Sequence, residues 1–170
     1  GDSLMHYLYA RYAFRYPAHF FDQWAKPVYV LVMAPFAQLG FKAVQIVNLI
    51  FTAINFYLVY RLAAKLLVPK AWMASLIYAS IPLAILISMS GLTEPLFACI
   101  LLLSMLYIAE KRYYAGLILL SFLPFVRSEG LVVCCVFLIY LFVIEKYELI
   151  PLLATGHIVY GLAGSFVHGD

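Results

Sequence analysis

Arg127, Ser128 and Glu129 stand together between two apolar stretches, and Glu94 stands just before Pro95 between two others. Carboxylates in such places serve as general bases or metal ligands, and cations hold phosphate oxygens. The loop pattern puts further groups of both kinds on what reads as one face: Asp2, His6, Arg11, Arg15, Asp22, Lys26, Lys42, His168 and Asp170. Together they suit transfer of a group from a phosphorylated lipid. For any one of them the alternative is local pairing at a membrane edge, with the aliphatic stem buried and the charge in water. For Thr93, Glu94 and Pro95 that alternative is helix capping. For Arg127 and Glu129 it is a local ion pair, and for Lys26, just before Pro27, it is snorkelling.

The elements that must position these groups follow from composition. The chain has 170 residues, 66% hydrophobic and 11% charged, against about 25% charged in a soluble domain. An all-α, polytopic membrane bundle is expected, with the lipid bilayer as its first partner. The net charge of +3 is small and its basic residues are scattered, which argues against a nucleic-acid surface. Cys99, Cys134 and Cys135 fall inside apolar runs and read as small hydrophobes.

A spanning helix needs about 20 mostly apolar residues. Six runs come close: 43–61, 71–89, 93–109, 113–126, 130–145 and 149–167. Arg61, Lys65, Lys70, Lys111, Arg112 and Lys146 fall in alternate connections, which assigns that side to the cytoplasm. Glu94, Arg127 and Glu129 then lie on the opposite side with residues 1–27. Residues 3–16 predict an amphipathic helix lying in the headgroup layer, with Met5, Tyr9, Tyr12 and Tyr16 on its apolar side and Asp2 and Ser3 as caps. Residues 28–40, broken by Pro35, predict a short re-entrant hairpin before a long helix that starts near Phe41. The chain is thus one transmembrane domain: an outer loop over 1–27, the hairpin over 28–40, and a bundle over 41–167. Gln45, Asn48, Thr52 and Asn55 share one face of that long helix, for interhelical hydrogen bonding or for lining a hydrated cleft. His157, inside the last run, reads as a packing residue rather than a ligand. With no initiator Met, and an end directly after an apolar run, the chain is expected to be a piece of a longer protein.

The order of "WAKPVY", "QLGF", "YRLAAKL", "SGLTEPLF" and "AGLILLSFLPFVRSEGLVV" resembles the GT-C superfamily of integral-membrane glycosyltransferases. It is nearest the branch of protein O-mannosyltransferases and lipid A aminoarabinose transferases. The resemblance covers nearly the whole chain. It implies an enzyme of the bacterial inner membrane, active on the outer face, that moves a sugar from a polyprenyl-phosphate donor to an acceptor hydroxyl. Carried over by position, Asp2 is the loop acid that acts as base, Lys26 is the lysine that meets the lipid phosphate, and Glu94 is the acid before proline. Arg127, Arg11, Arg15, Glu129 and His6 complete the expected substrate-binding set, and a divalent metal ion stays open. Val28 stands where many members carry a second proline, and Ser3 where a second acid is usual. The alternatives are a transporter or flippase for a lipid-linked or small solute, and a non-catalytic membrane subunit.

Overall fold

A computed structural model describes the backbone of residues 1–168 and the side chains of residues 1–166. The described residues form an all-α structure without strands. In order, the helices are α1 (Asp2–Tyr12), α2 (Pro27–Ala37), α3 (Phe41–Lys65), α4 (Trp72–Ala79), α5 (Pro82–Ser88), α6 (Glu94–Ala109), α7 (Tyr113–Leu120), α8 (Gly130–Val143) and α9 (Thr155–His168). Short 3-10 segments cover Pro17–Phe21, Leu123–Phe125 and Tyr147–Ala154.

The apolar runs map onto these helices with two kinds of difference. The 71–89 run is two helices, because Pro82 cannot continue α4. Ile81 before it is pushed to an extended conformation, φ −75°, ψ 110°. Residues 28–40 are not a hairpin. They hold one helix, α2, with Pro35 in its last turn, where the missing N–H costs a single bond before the helix ends. The long helix does begin at Phe41. Phe41–Lys65 and Tyr147–Phe166 are long and apolar enough to cross a membrane, whereas Pro27–Ala37, Glu94–Ala109, Tyr113–Phe125 and Gly130–Val143 are shorter apolar helices.

Helix α3 packs along α6, and α1 lies on α2. The α1–α2 contact is made by small residues: Ala10 and Ala13 on one side, Ala34 and Ala37 on the other, all fully buried. Helix α1 is shorter than the expected 3–16, and most of its expected apolar side faces outward. It ends at Tyr12, and its buried face is His6, Tyr7 and Ala10, while Met5, Tyr12 and Tyr16 are exposed. Close approach of two backbones selects alanine over the larger aromatics. Tyr7, Tyr29, Met33, Val44, Val47, Leu96 and Val126 form the core below this layer. Leu117, Leu120, Leu123, Cys134 and Leu141 form a second core between α7 and α8. The outward faces are apolar as well: Ile46, Leu49, Ile50 and Tyr57 on α3, and Leu131, Val132, Val136, Ile139 and Val143 on α8 are exposed.

Charges separate to the two ends of the bundle. Arg61 pairs with Glu110 at 3.4 Å, joining the C-terminal ends of α3 and α6. Lys146 lies over the Tyr113 ring nearby, at 5.0 Å. Glu94 opens α6 at the other end, and Glu129 precedes α8 there. The start of α8 is fixed by contact: a Cβ on Gly130 would lie 2.3 Å from the Leu123 carbonyl carbon. Gly130→Ala must push backbone against backbone, so it should destabilise the fold by about 1–3 kcal/mol. Thermal unfolding in detergent would read this as a lowered midpoint, and an unchanged midpoint would refute it.

Candidate functional site

The site is assembled around the connection from α5 to α6. Its peptide groups are bonded by side chains from three other helices. Gln45 Nε2 donates to the Met89 carbonyl at 2.6 Å. Asn48 Nδ2 donates to Ser90 and Leu92 at 2.7 and 2.9 Å, and Asn55 Nδ2 to Pro95 at 2.9 Å. The polar face of α3 is thus a hydrogen-bonding face between helices. Thr52 alone bonds back along its own helix, to Asn48. Gly91 is held from both sides: its N–H donates to Ser3 Oγ at 2.6 Å, and its carbonyl accepts from Tyr29 Oη at 2.7 Å. A Cβ there would sit 2.8 Å from the Ser3 carbonyl, so only glycine allows α1 this close. Ser3 therefore bonds Gly91, and neither it nor Asp2 makes a side-chain cap on α1.

Thr93 likewise makes no side-chain cap on α6. The Glu94 carboxylate turns sideways instead, and its Oε1 meets Arg127 Nη1 at 2.5 Å. The other edge of that guanidinium is held by Glu129, with Nη2 at 2.7 Å and Nε at 3.4 Å. The local Arg127–Glu129 pair exists, and the same arginine also bridges to α6. The Glu129 hydrogen bond, then Glu94, hold the guanidinium charged, while Arg127 holds the Glu129 carboxyl below its usual range. Glu94 Oε2 is buried with no hydrogen-bond partner.

Lys26 enters from the other direction. Its φ is +68°, immediately before Pro27. Leu67, Lys111 and Glu145 take positive φ just past helix C-termini, where such a residue is common. At Lys26 no such cap accounts for it, and a strained backbone of this kind costs about 1–3 kcal/mol. The Asp22 carboxylate accepts the Ala25 N–H at 2.8 Å and shapes the turn. The ammonium donates to Ser128 Oγ at 2.8 Å. Among the described residues no carboxylate lies within 4.0 Å of it.

His6 is buried, stacked on Trp24 at 5.0 Å and edge-on to Tyr29 at 5.4 Å. Its Nδ1 lies 3.3 Å from the Ala25 carbonyl. That bond exists only when Nδ1 carries the proton, which leaves the lone pair on Nε2. Burial lowers its pKa, against the Ala25 bond and the charges of Asp2 and Glu94.

Asp2, His6, Lys26, Glu94, Arg127 and Glu129 line one cavity of about 310 Å³, with Trp24, Thr93 and Ser128 completing its wall. Arg11 and Arg15 are not in it. Arg11 donates to Tyr7 Oη, and its carbonyl accepts from Gln38. Arg15 lies 5.7 Å over Tyr16. Arg11 lies in the last turn of α1 and Arg15 beyond it, and from Asp2 to Arg11 the helix rises about 13 Å at 1.5 Å per residue. Lys42 is exposed and does not line the cavity. The His168 side chain and Asp170 lie outside the described residues. Among the described residues no three His, Cys, Asp or Glu side chains gather as metal ligands. Trp24 and Ser128 escaped sequence reasoning. Ser128 adjoins Arg127 in sequence, but its bond to Lys26 spans 102 residues and leaves no local signal. Comparison with protein-family models, curated proteins and solved structures found no match.

A buried His whose folded pKa is depressed stabilises the fold above its ordinary value of about 6.5 and loses that contribution as pH falls below it. Unfolding midpoints should therefore drop as pH falls from about 7 to 5, and His6→Gln should drop less over the same interval. Equal slopes for the two proteins would exclude His6 as the source.

Proposed function

We propose that the chain is the catalytic membrane part of a GT-C-type glycosyltransferase, which moves a sugar from a polyprenyl-phosphate donor to an acceptor hydroxyl on the non-cytoplasmic face. One observation carries this reading. Asp2, Lys26, Glu94, Arg127 and Glu129, drawn from four separate parts of the chain, converge on one cavity at one end of the bundle. A non-catalytic subunit gives no reason for such convergence. Apolar outward faces on α3 and α8 support a six-span membrane bundle, since exposed apolar surface of that extent needs lipid or a partner.

The reaction is displacement at the anomeric carbon. The acceptor oxygen forms a bond to that carbon as the bond to the phosphate oxygen breaks. Asp2 takes the acceptor proton. The electron pair leaves with the polyprenyl phosphate, whose added negative charge is stabilised by Lys26. Arg127, engaged by Glu94 and Glu129, positions Glu94 against the reacting centre. Asp2→Asn should lower transfer from a polyprenyl-phosphate sugar by about 10²–10⁴-fold. Lys26→Ala removes a charge-assisted bond of about 1.5–3 kcal/mol, one to two decades in rate. Transfer by full-length protein in proteoliposomes measures both, and undiminished transfer by Asp2→Asn would remove this mechanism.

The membrane orientation has its own test. Single cysteines at 65, 111 and 146 should resist an impermeant thiol reagent added outside intact cells, and cysteines at 94 and 129 should react. Labelling at 111 from outside would invert the arrangement.

A further inference from the structure

We infer that the anionic head of an amphiphile binds on the side of Lys26 away from Arg127, and that His157 is one of its ligands. The inference deepens the transferase reading, which it uses only to name the head as a lipid phosphate.

The charge pattern on the two sides of Lys26 differs. In the 310 Å³ cavity three carboxylates, Asp2, Glu94 and Glu129, face the cations Lys26 and Arg127. Both edges of Arg127 are already held by carboxylates, and Glu94 Oε2 is a buried acceptor without a donor. A phosphate there would meet acceptors, and it would have to displace a carboxylate to reach the guanidinium. Lys26 and Ser128 also line a second cavity, of about 280 Å³, together with Gln23, His157 and Tyr160. Among the described residues no carboxylate lines that side; Asp22, whose charge acts on Tyr160, is turned to the Ala25 N–H. An ammonium, a hydroxyl, a carboxamide and an imidazole are the donor types that a phosphate needs. Phe125 meets the His157 ring edge-on at 4.9 Å and sets its plane. The Tyr160 hydroxyl donates to the Phe21 carbonyl, so its ring acts as wall.

What lies beyond this cavity makes the ligand an amphiphile. Pro27, Phe125 and Tyr160 are shared with a third cavity, also about 280 Å³, whose remaining walls include Phe20, Val28, Leu31, Phe122 and Val159. A head bonded to Lys26 and His157 thus has a hydrocarbon path along α2 and α9. The carboxylate side is left to the neutral acceptor hydroxyl, beside Asp2.

Titration of detergent-solubilised full-length protein with farnesyl phosphate tests this. It should bind saturably, and farnesol at least about tenfold more weakly, since only the phosphate makes charge-assisted bonds. His157→Ala should weaken farnesyl phosphate about tenfold, and His157→Gln, which keeps a donor, should recover most of it. Leu31→Trp, an exposed position at the apolar wall, should weaken farnesyl phosphate without changing the binding of inorganic phosphate. Arg127→Ala should weaken binding less than His157→Ala. Absence of farnesyl phosphate binding, equal affinity for farnesol, or the reverse order for Arg127→Ala and His157→Ala would each overturn the inference. His157-dependent binding without sugar transfer would keep it and remove the transferase reading. Transfer that survives His157→Ala with unchanged donor KM would do the opposite.

Discussion

The arrangement depends on how the peptide groups between α5 and α6 are satisfied inside an apolar bundle. A buried N–H or C=O without a partner costs about 1–3 kcal/mol, and among the described residues no strand is present to take them. Side chains do so instead. Gln45, Asn48 and Asn55 donate from α3, Tyr29 from α2, and Ser3 accepts from Gly91 on behalf of α1. One connection thereby fixes three helices against α6. Glu94 follows it directly, so the same bonds that satisfy the backbone also place the carboxylate. The close contact at Gly91 brings Asp2 and His6 to the same cavity.

Arg127 performs the corresponding task for charge. It sits between Glu94 of α6 and Glu129 at the start of α8. The outer pair is largely exposed at Glu129, whose side chain is 61% accessible, and such a pair contributes little to stability. The inner pair matters through geometry. It turns Glu94 sideways from its own helix end, and with the outer pair it occupies both edges of the arginine that lines the cavity. An arginine whose two edges are both occupied is a scaffold for carboxylates first.

Much of this organisation was legible in the sequence. The all-α class, the start of α3 at Phe41, the opening of α6 at Glu94 and the polar face of α3 follow from apolar run length, proline placement and helical spacing. The buried side of α1 does not. In a chain that is apolar on most faces, periodicity cannot tell the protein-facing side from the outward one, and the largest residues mark the outward side. Close packing chooses small residues, so Ala10 and Ala13 face α2 while Met5 and Tyr12 stay outside. Arg11 and Arg15 share a short segment with Asp2, yet helical rise carries them out of reach. Conversely Ser128 meets Lys26 across 102 residues and His157 joins its second cavity from α9, both through tertiary packing.

The separation of charges bears on the chemistry itself. In the proposed transferase a base and a leaving-group cation share one small cavity, where a direct Asp2–Lys26 pair would neutralise and weaken both. Among the described residues that pair is absent: neither Asp2 nor Lys26 has an oppositely charged side chain within 4.0 Å. Arg127 engages both glutamates of the cavity, and Ser128 gives the ammonium a neutral partner at 2.8 Å. The strained backbone at Lys26 then has a physical role. A positive φ just before a rigid proline accompanies a side chain that reaches across to Ser128 in the 127–129 turn. In the proposed transfer the side chain would then need little reorganisation to meet developing negative charge, the preorganisation on which electrostatic catalysis depends.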